Sequence, residues 1–279
     1  SSEFRFIGQS MLRVDAEEKV TGKAKYSADI QLPGMRYARI LRGPSLFSKL
    51  ISVDTSAAES MEGVEVVRDG NLVAVLHELP DMADIAISKV DGEFETDDPD
   101  VNDKSIFEHL VKHGTSKRVQ DEGGDLEVGL KNSSQVFEME YLDNYVAHAP
   151  IENHTATAFM EGDVLKIWAS TQTPYPARTD VAEMLGVPEE KVHIQQIFVG
   201  GGFGGKIYNQ QILEVAKLVQ LTGGKPIQLA WTRREEFHYD RLRPAAVVKI
   251  KSGIDDSGKI TLWDYDVFFA GGRGAKQYY

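Results

Sequence analysis

Apolar and polar positions alternate in short runs along most of this chain, and the period lengthens from two to about three and a half at only a few places. From Gly22 to about Glu95 the runs KYSADI, RYARILRG, LISVDTS and VEVVRDGNLVAVL are separated by Pro33-Gly34, Gly43-Pro44 and Asp69-Gly70. That is the pattern of short strands punctuated by turns. The Asp69-Gly70 pair between two β-branched runs predicts a hairpin. Thr55–Met61 reads as a short helix, and PDMADIAISKV puts Met82, Ile85 and Ala86 at helical spacing behind Pro80.

The passage from Thr96 to Gly129 is acidic and glycine-bearing, and only KSIFEHLVKH within it has an apolar period, so it reads as a linker or surface crossing. Beyond it QVFEMEYLDNYVAHA, TATAFMEGDVLKIWAST, KVHIQQIFV, KPIQLAWT, AAVVKIKSGID and KITLWDYDVFFA read as strands, with a hairpin turn at Asp255–Gly258. PARTDVAEMLG and NQQILEVAKLVQLTGG read as helices closed by glycine. The fold class is α+β with mixed α/β elements and no internal repeat.

With 279 residues, 42% of them hydrophobic, the chain can bury one large core or two ordinary ones. No apolar run approaches the roughly 20 residues needed to cross a bilayer, and the N-terminal SSEFRFIGQS lacks the order of a signal peptide. The expectation is a soluble, cytoplasmic protein with no membrane partner. A formal net charge of −12 gives no surplus of Lys and Arg to hold a polyanion, so nucleic acid is not an expected partner. The absence of cysteine excludes a thiolate nucleophile, a Cys-ligated zinc and an iron–sulfur cluster within this chain.

The most informative stretch is VGGGFGGKIYNQQ, Val199–Gln211, between a predicted strand and a predicted helix. Gly200, Gly202 and Gly205 satisfy the dinucleotide spacing G-x-G-x-x-G, but LAWT at Leu229–Thr232 stands where the ribose-binding acid belongs. Gly200 to Lys206 also spells the G-x-x-x-x-G-K of a phosphate loop, with Ile207 in place of the Mg²⁺-holding hydroxyl. The third reading is a glycine turn that lets strand and helix pack closely. Common to all three are backbone amides without side chains, at an expected helix N-terminus, which suit an anionic ligand.

The longer segment VLKIWASTQTPYPARTDVAEMLGVPEEKVHIQQIFVGGGFGGK resembles the molybdenum-cofactor segment of the xanthine dehydrogenase and aldehyde oxidase family, the molybdenum hydroxylases. DAEEKVTGKAKYSADIQLPGMRYARILRGP and SVDTSAAESMEGVEVV are similar to that family's a/b hammerhead domain, and AHAPIENHTATA to its HAPMEP stretch, with Asn153-His154 where a proline is usual. WTRREEFHYDRLRPAAVVKI resembles the bacterial large subunits. The resemblance implies a hammerhead domain with linker over residues 1–125 and an incomplete, N-terminal part of a molybdopterin-binding domain over 126–279.

It also implies roles. Gln172 matches the glutamine that hydrogen-bonds an oxo ligand of molybdenum, and Gly202, Phe203, Gly204 and Gly205 match the loop that approaches the pyranopterin. The metal would be held by the cofactor's own sulfurs, so no protein cysteine is required. Ile207 takes the place where purine-oxidising members carry a glutamate, which disfavours xanthine. Members of the family hydroxylate an aldehyde or N-heteroaromatic carbon with oxygen from water, using a glutamate base, and pass electrons through the pterin to 2Fe-2S and FAD subunits. That glutamate is expected beyond Tyr279, in a second molybdenum-binding half or a separate subunit, so no catalytic residue is assigned here and the chain alone is expected to be inactive. The cofactor would be molybdenum–molybdopterin, with the cytosine dinucleotide as the bacterial form. The other function class is a non-catalytic piece that binds no cofactor by itself.

Further candidates carry blander readings. His148 and Glu152 are read as structural hydrogen-bonding groups before catalytic ones. His109 and His113 have a metal-gripping spacing without an evident third ligand, so a solvated face is expected. Arg233, Arg234, Arg241 and Arg243 are expected to pair with Glu235 and Glu236 at a surface.

Overall fold

The computed structural model describes residues 4–46, 48–97, 100–114 and 119–269. In chain order the elements are α1 (Ala16–Val20), β1 (Arg36–Ile40), β2 (Lys49–Asp54), α2 (Ser56–Glu59), β3 (Glu65–Asp69), β4 (Leu72–His77), α3 (Pro80–Ile87), β5 (Asp91–Glu95), α4 (Ile106–His113), α5 (Leu126–Lys131), β6 (Gln135–Asp143), β7 (Thr155–Glu161), β8 (Val164–Ala169), α6 (Pro174–Leu185), β9 (Val192–Gln195), α7 (Gln210–Leu221), β10 (Ile227–Ala230), α8 (Arg233–Tyr239), β11 (Ala246–Ile254) and β12 (Ile260–Phe269). The mixed α+β class expected from the periodicity is the class observed. No helix among the described residues is long and apolar enough to cross a membrane. Part of the acidic passage, at 98–99 and 115–118, and everything from 270 to Tyr279 lie outside the described residues.

The chain folds into two compact units, neither contiguous: the segment up to Thr96 joins Ala149–Tyr239, and Asp97–His148 joins the segment that starts at Asp240. The expected division at residue 125 follows blocks of sequence, whereas the compact units follow strand pairing. In the first unit a seven-stranded sheet has the order β3-β4-β1-β10-β7-β8-β9. β1 lies parallel to β10, with Arg36, Tyr37 and Ala38 opposite Ile227, Gln228 and Leu229. One sheet therefore draws strands from both sequence blocks, and local periodicity carries no trace of such a distant partner.

Burial explains the order. β4 reads LVAVLH with its first five residues buried, and β10 and β7 are nearly as enclosed. Strands covered on both faces show apolar runs rather than alternation. Helix α7 packs on β7, β8 and β10 and against α6. It buries Ile212, Leu213, Val215, Ala216, Leu218 and Val219, and also Gln211 and Glu214. Gly186 at φ +67 and Gly223 at φ +73 follow α6 and α7 in the left-handed conformation, the stop signal expected of both. β3 and β4 form the expected hairpin around Gly70.

Three elements differ from the sequence reading. KYSADI is not a strand: Ser27–Asp29 is a 3-10 turn, because the Tyr26 N–H donates to the Asp29 carboxylate at 3.0 Å. Buried Ser27 then donates to the carbonyls of Thr155 and Trp168. The expected linker contains the start of α5, capped by Asp125, whose carboxylate accepts from the N–H groups of Glu127 and Val128. The passage after β10 is helical, as α8. There Thr232 Oγ1 accepts from Glu235 N–H at 3.2 Å while the Thr232 N–H donates to the Glu235 carboxylate at 2.7 Å. This T-x-x-E capping box was legible in TRRE at 232–235.

In the second unit β12, β11 and β6 form an antiparallel sheet in that order. α4 packs on β11 and β12, and α5 on β12. β11 and β12 are joined by the expected turn, where Asp255 Oδ1 accepts from the N–H groups of Ser257 and Lys259.

Candidate functional site

The glycine loop leaves β9, which stops at Gln195, and runs into a 3-10 turn over Gly205–Ile207 before α7 begins at Gln210. The expectation that the bare amides sit at the helix N-terminus is corrected here: the glycines precede the first turn of α7, whose N-cap is Asn209. Gly201 and Gly204 take φ +99 and +103, and Phe203 takes φ +53. The left-handed conformation costs an L residue about 1–2 kcal/mol, yet burial of the Phe203 side chain does not offset that cost, the residue being 74% exposed. A strained, exposed aromatic on a tightly specified loop is the kind of outlier that accompanies function.

Gln172, between β8 and α6, meets this loop directly. The Gly204 N–H donates to Gln172 Oε1 at 2.9 Å. A Cβ on Gly202 would lie 2.4 Å from that same oxygen, so only glycine lets the backbone come so close. With the carboxamide oxygen occupied, the NH₂ group is the end of Gln172 left to donate outward. Among the described residues none accepts from the N–H groups of Gly201, Gly202 or Phe203. The Gln172 N–H donates to Lys206 O at 2.8 Å. Thr171 Oγ1 donates to Asn209 Oδ1 at 2.6 Å, Thr173 Oγ1 to Ile207 O at 3.1 Å and Gln211 Nε2 to Ser170 O at 3.2 Å. Ser170–Thr173 and Lys206–Gln211 are thus laced into one rigid corner. Gln172, Phe203 and Ile207 stand at its exposed side, Ile207 being 43% exposed, while Gly202 and Gly205 are buried within it.

Lys206 points the other way. It is fully buried; its ammonium donates to Glu152 O at 2.7 Å and to Glu152 Oε2 at 3.0 Å. The same carboxylate accepts from the Gly200 N–H at 2.7 Å and, through Oε1, from the Ser27 N–H at 3.4 Å. A phosphate-loop lysine would need a free ammonium, so that reading of G-x-x-x-x-G-K falls. Glu152 has the structural part expected of it: it holds down the start of the glycine loop. The donors left for a ligand are uncharged amides and a carboxamide. These orient an anionic group by dipoles and add no metal ligand.

Gln172, Phe203 and Ile207 leave the corner open to solvent. One recess of about 380 Å³ is lined by Glu18, Lys23, Lys25, Gln196, Ile197 and Phe198 and includes neither Gln172 nor the glycines.

The arginine expectation is only partly met. Glu235 accepts from Arg42 Nε at 2.8 Å as well as from the Thr232 N–H, and Arg42 also forks onto buried Glu214 at 2.6 and 2.9 Å. Trp231 Nε1 donates to Glu214 as well. Glu236 accepts from the N–H of His154, and His154 Nδ1 lies 2.9 Å from Glu236 Oε1. Burial pushes the Glu236 carboxyl up, but the hydrogen bonds and charge of His154, with the charge of Lys206, outweigh it and hold the group below its ordinary range. Arg233 caps the Ile151 carbonyl at 3.0 Å, and Arg243 pairs with Asp143. Sequence spacing could not reveal that Arg42 would cross to Glu214 and Glu235.

His148 Nδ1 lies 3.6 Å from Asp240 Oδ2. The His109 and His113 rings stack at 4.2 Å and His113 Nδ1 contacts the His109 carbonyl. Among the described residues no further ligand joins that pair.

Residues 109–277, well over half the chain, match the molybdopterin cofactor-binding domain family. The chain is 30% identical to a probable xanthine dehydrogenase subunit of Bacillus subtilis, aligned over 92% of this chain and 39% of that protein. It is 28% identical to the nicotinate dehydrogenase large molybdopterin subunit of Eubacterium barkeri, over 95% of this chain and 71% of that subunit. Its fold is that of the CO dehydrogenase of Oligotropha carboxidovorans, with a TM-score of 0.73 and 20% identity over 91% of this chain and 38% of the other. The chain belongs to the molybdenum hydroxylase family and carries its molybdopterin cofactor-binding domain. It spans less than half the length of the Bacillus subtilis relative it matches.

Proposed function

We propose that this chain is the molybdopterin-binding portion of an oxidoreductase that hydroxylates an aldehyde or N-heteroaromatic carbon with oxygen from water and passes the electrons to 2Fe-2S and FAD partners. The observation that carries this reading is the shared corner of Gln172 and the glycine loop: a carboxamide with its oxygen engaged by Gly204 and its NH₂ free, beside the unpaired amides of Gly201, Gly202 and Phe203. When bound, the molybdenum–molybdopterin cofactor supplies the two-electron redox chemistry. Gln172 Nε2 would donate to an oxygen of the metal's coordination sphere, and the loop amides would orient the cofactor without contributing charge. Phe203 would shield the site from water, and Ile207 would present an apolar wall that offers a purine no hydrogen bond. As blocks of sequence, residues 1–125 would supply the hammerhead part and 126–279 the first part of the cofactor domain. The general base and the electron carriers would lie outside these 279 residues, which alone would turn nothing over.

Protein purified with its partner chains from a molybdate-fed host should contain close to one molybdenum per complex, and Gln172→Ala should lower turnover far more than metal content. Absence of molybdenum with every partner present would remove the reading.

A further inference from the structure

The β12-β11-β6 sheet has an apolar face that nothing among the described residues covers. Its register sets the rows: Phe137, Ser252 and Trp263; Met139, Ile250 and Tyr265; Tyr141, Val248 and Val267. Residues directly opposite share a face, so these rows line up on one side. Trp263 and Tyr265 stack at 6.4 Å along it. Phe137, Met139, Tyr141, Trp263, Tyr265 and Val267 are between 40% and 56% exposed. The other face is covered in part: Val247 and Leu262 are buried where α4 and α5 pack, while Val136 and Leu142 stay exposed. It also carries the charges, exposed and paired, Lys251 to Glu138 and Lys249 to Glu140. The sheet therefore exposes an apolar side besides a charged one, which a self-sufficient domain would bury. Contiguous apolar patches of this kind mark contacts with other polypeptide.

We propose that this face is where the remainder of the molybdopterin subunit docks, namely the polypeptide equivalent to the part of the relatives' length that this chain does not span. The face holds almost no charge, as the centre of a permanent interface does. A second copy is the weaker occupant on size. The rows span five residues along each of three strands, a footprint of about 250 Å², below the roughly 800 Å² per partner of a stable standard interface. The length of the relatives beyond this match is large enough to extend past the sheet: the chain spans 39% of one relative and 38% of a solved neighbour of the same fold. The inference rests on the family reading for the identity of the occupant, and on the exposed rows for the place.

Hydroxyl-radical footprinting, with oxidation read by mass spectrometry, tests it on the chain alone and on the chain expressed with the polypeptide carrying the rest of the enzyme. Oxidation of Met139, Tyr141, Trp263 and Tyr265 should fall at least fivefold in the assembly. Met139→Lys and Tyr265→Lys should leave the urea midpoint of the isolated chain unchanged and lower co-purification at least tenfold. Equal oxidation in both samples, or undiminished co-purification of both variants, overturns the proposal. So does protection already present in the chain alone together with a doubled mass, which would assign the face to a second copy. Molybdenum measured on the same assembly separates the two readings: protection without molybdenum keeps the docking face and removes the cofactor, and molybdenum without protection does the reverse.

Discussion

Replacing Glu152 with alanine tests whether one buried ion pair holds the glycine loop in place. Lys206 is fully buried and Glu152 is its carboxylate partner, with only 11% of the glutamate side chain exposed. Removing one member of a buried pair leaves an uncompensated charge and costs about 3–5 kcal/mol. The lost hydrogen bond from Gly200 adds about 1 kcal/mol. The Glu152 carbonyl survives as an acceptor for Lys206 and the Glu236 carboxylate still feels its charge, which places the expected total near the lower end, about 3 kcal/mol. Lys206→Met should cost less, about 2 kcal/mol, because the carboxylate keeps the Gly200 N–H and reaches solvent. The double variant should be more stable than the sum of the two losses predicts, with a coupling of about 2 kcal/mol, since neither charge is then left alone. Urea unfolding followed by tryptophan fluorescence measures all four proteins; the two compact units call for a fit that allows two transitions. Amide exchange at Gly200 to Gly204 should accelerate in Glu152→Ala. A loss under about 1 kcal/mol in that variant, or a coupling under about 0.5 kcal/mol, would refute the reasoning: Lys206 would then find water, and the loop would be held by something else.

Two further outcomes follow from single observations. Phe203 is left-handed and mostly exposed, so Phe203→Gly should be more stable than Phe203→Ala by about 0.5–1 kcal/mol; equal midpoints in urea would show that the backbone relaxes out of that conformation. Glu236 is held below its ordinary value of 4.5 in the folded protein, so its contribution is complete above that pH and is lost as pH falls through the folded value. Glu236→Gln should therefore flatten the decline of the urea midpoint below about pH 4.5, and an unchanged slope would show that another carboxylate governs it.

Much of the local architecture was legible in the chain. Asp69-Gly70 specifies its hairpin, Gly186 its helix stop and the α7 periodicity its helix, because turn chemistry and side-chain period act over a few residues. α8 was missed although its capping box is present in TRRE, and α5 because six residues offer too little period to see. The candidate site was half legible. The glycines and Gln172 stood out by residue type, but nothing in the sequence showed that Lys206 turns inward as the ion-pair partner of Glu152.

By itself the sequence determined most of the elements, their punctuation, the absence of any thiolate chemistry and the residue types at Gln172 and along the glycine loop. The tertiary structure alone decided which distant strands pair, that β1 completes its sheet with β10, that Arg42 answers Glu214 and Glu235, and which face of β6, β11 and β12 stays uncovered. The division has a physical reason: propensity and capping are short-range properties of a few neighbours, whereas burial, charge pairing and exposed area exist only once remote segments have met.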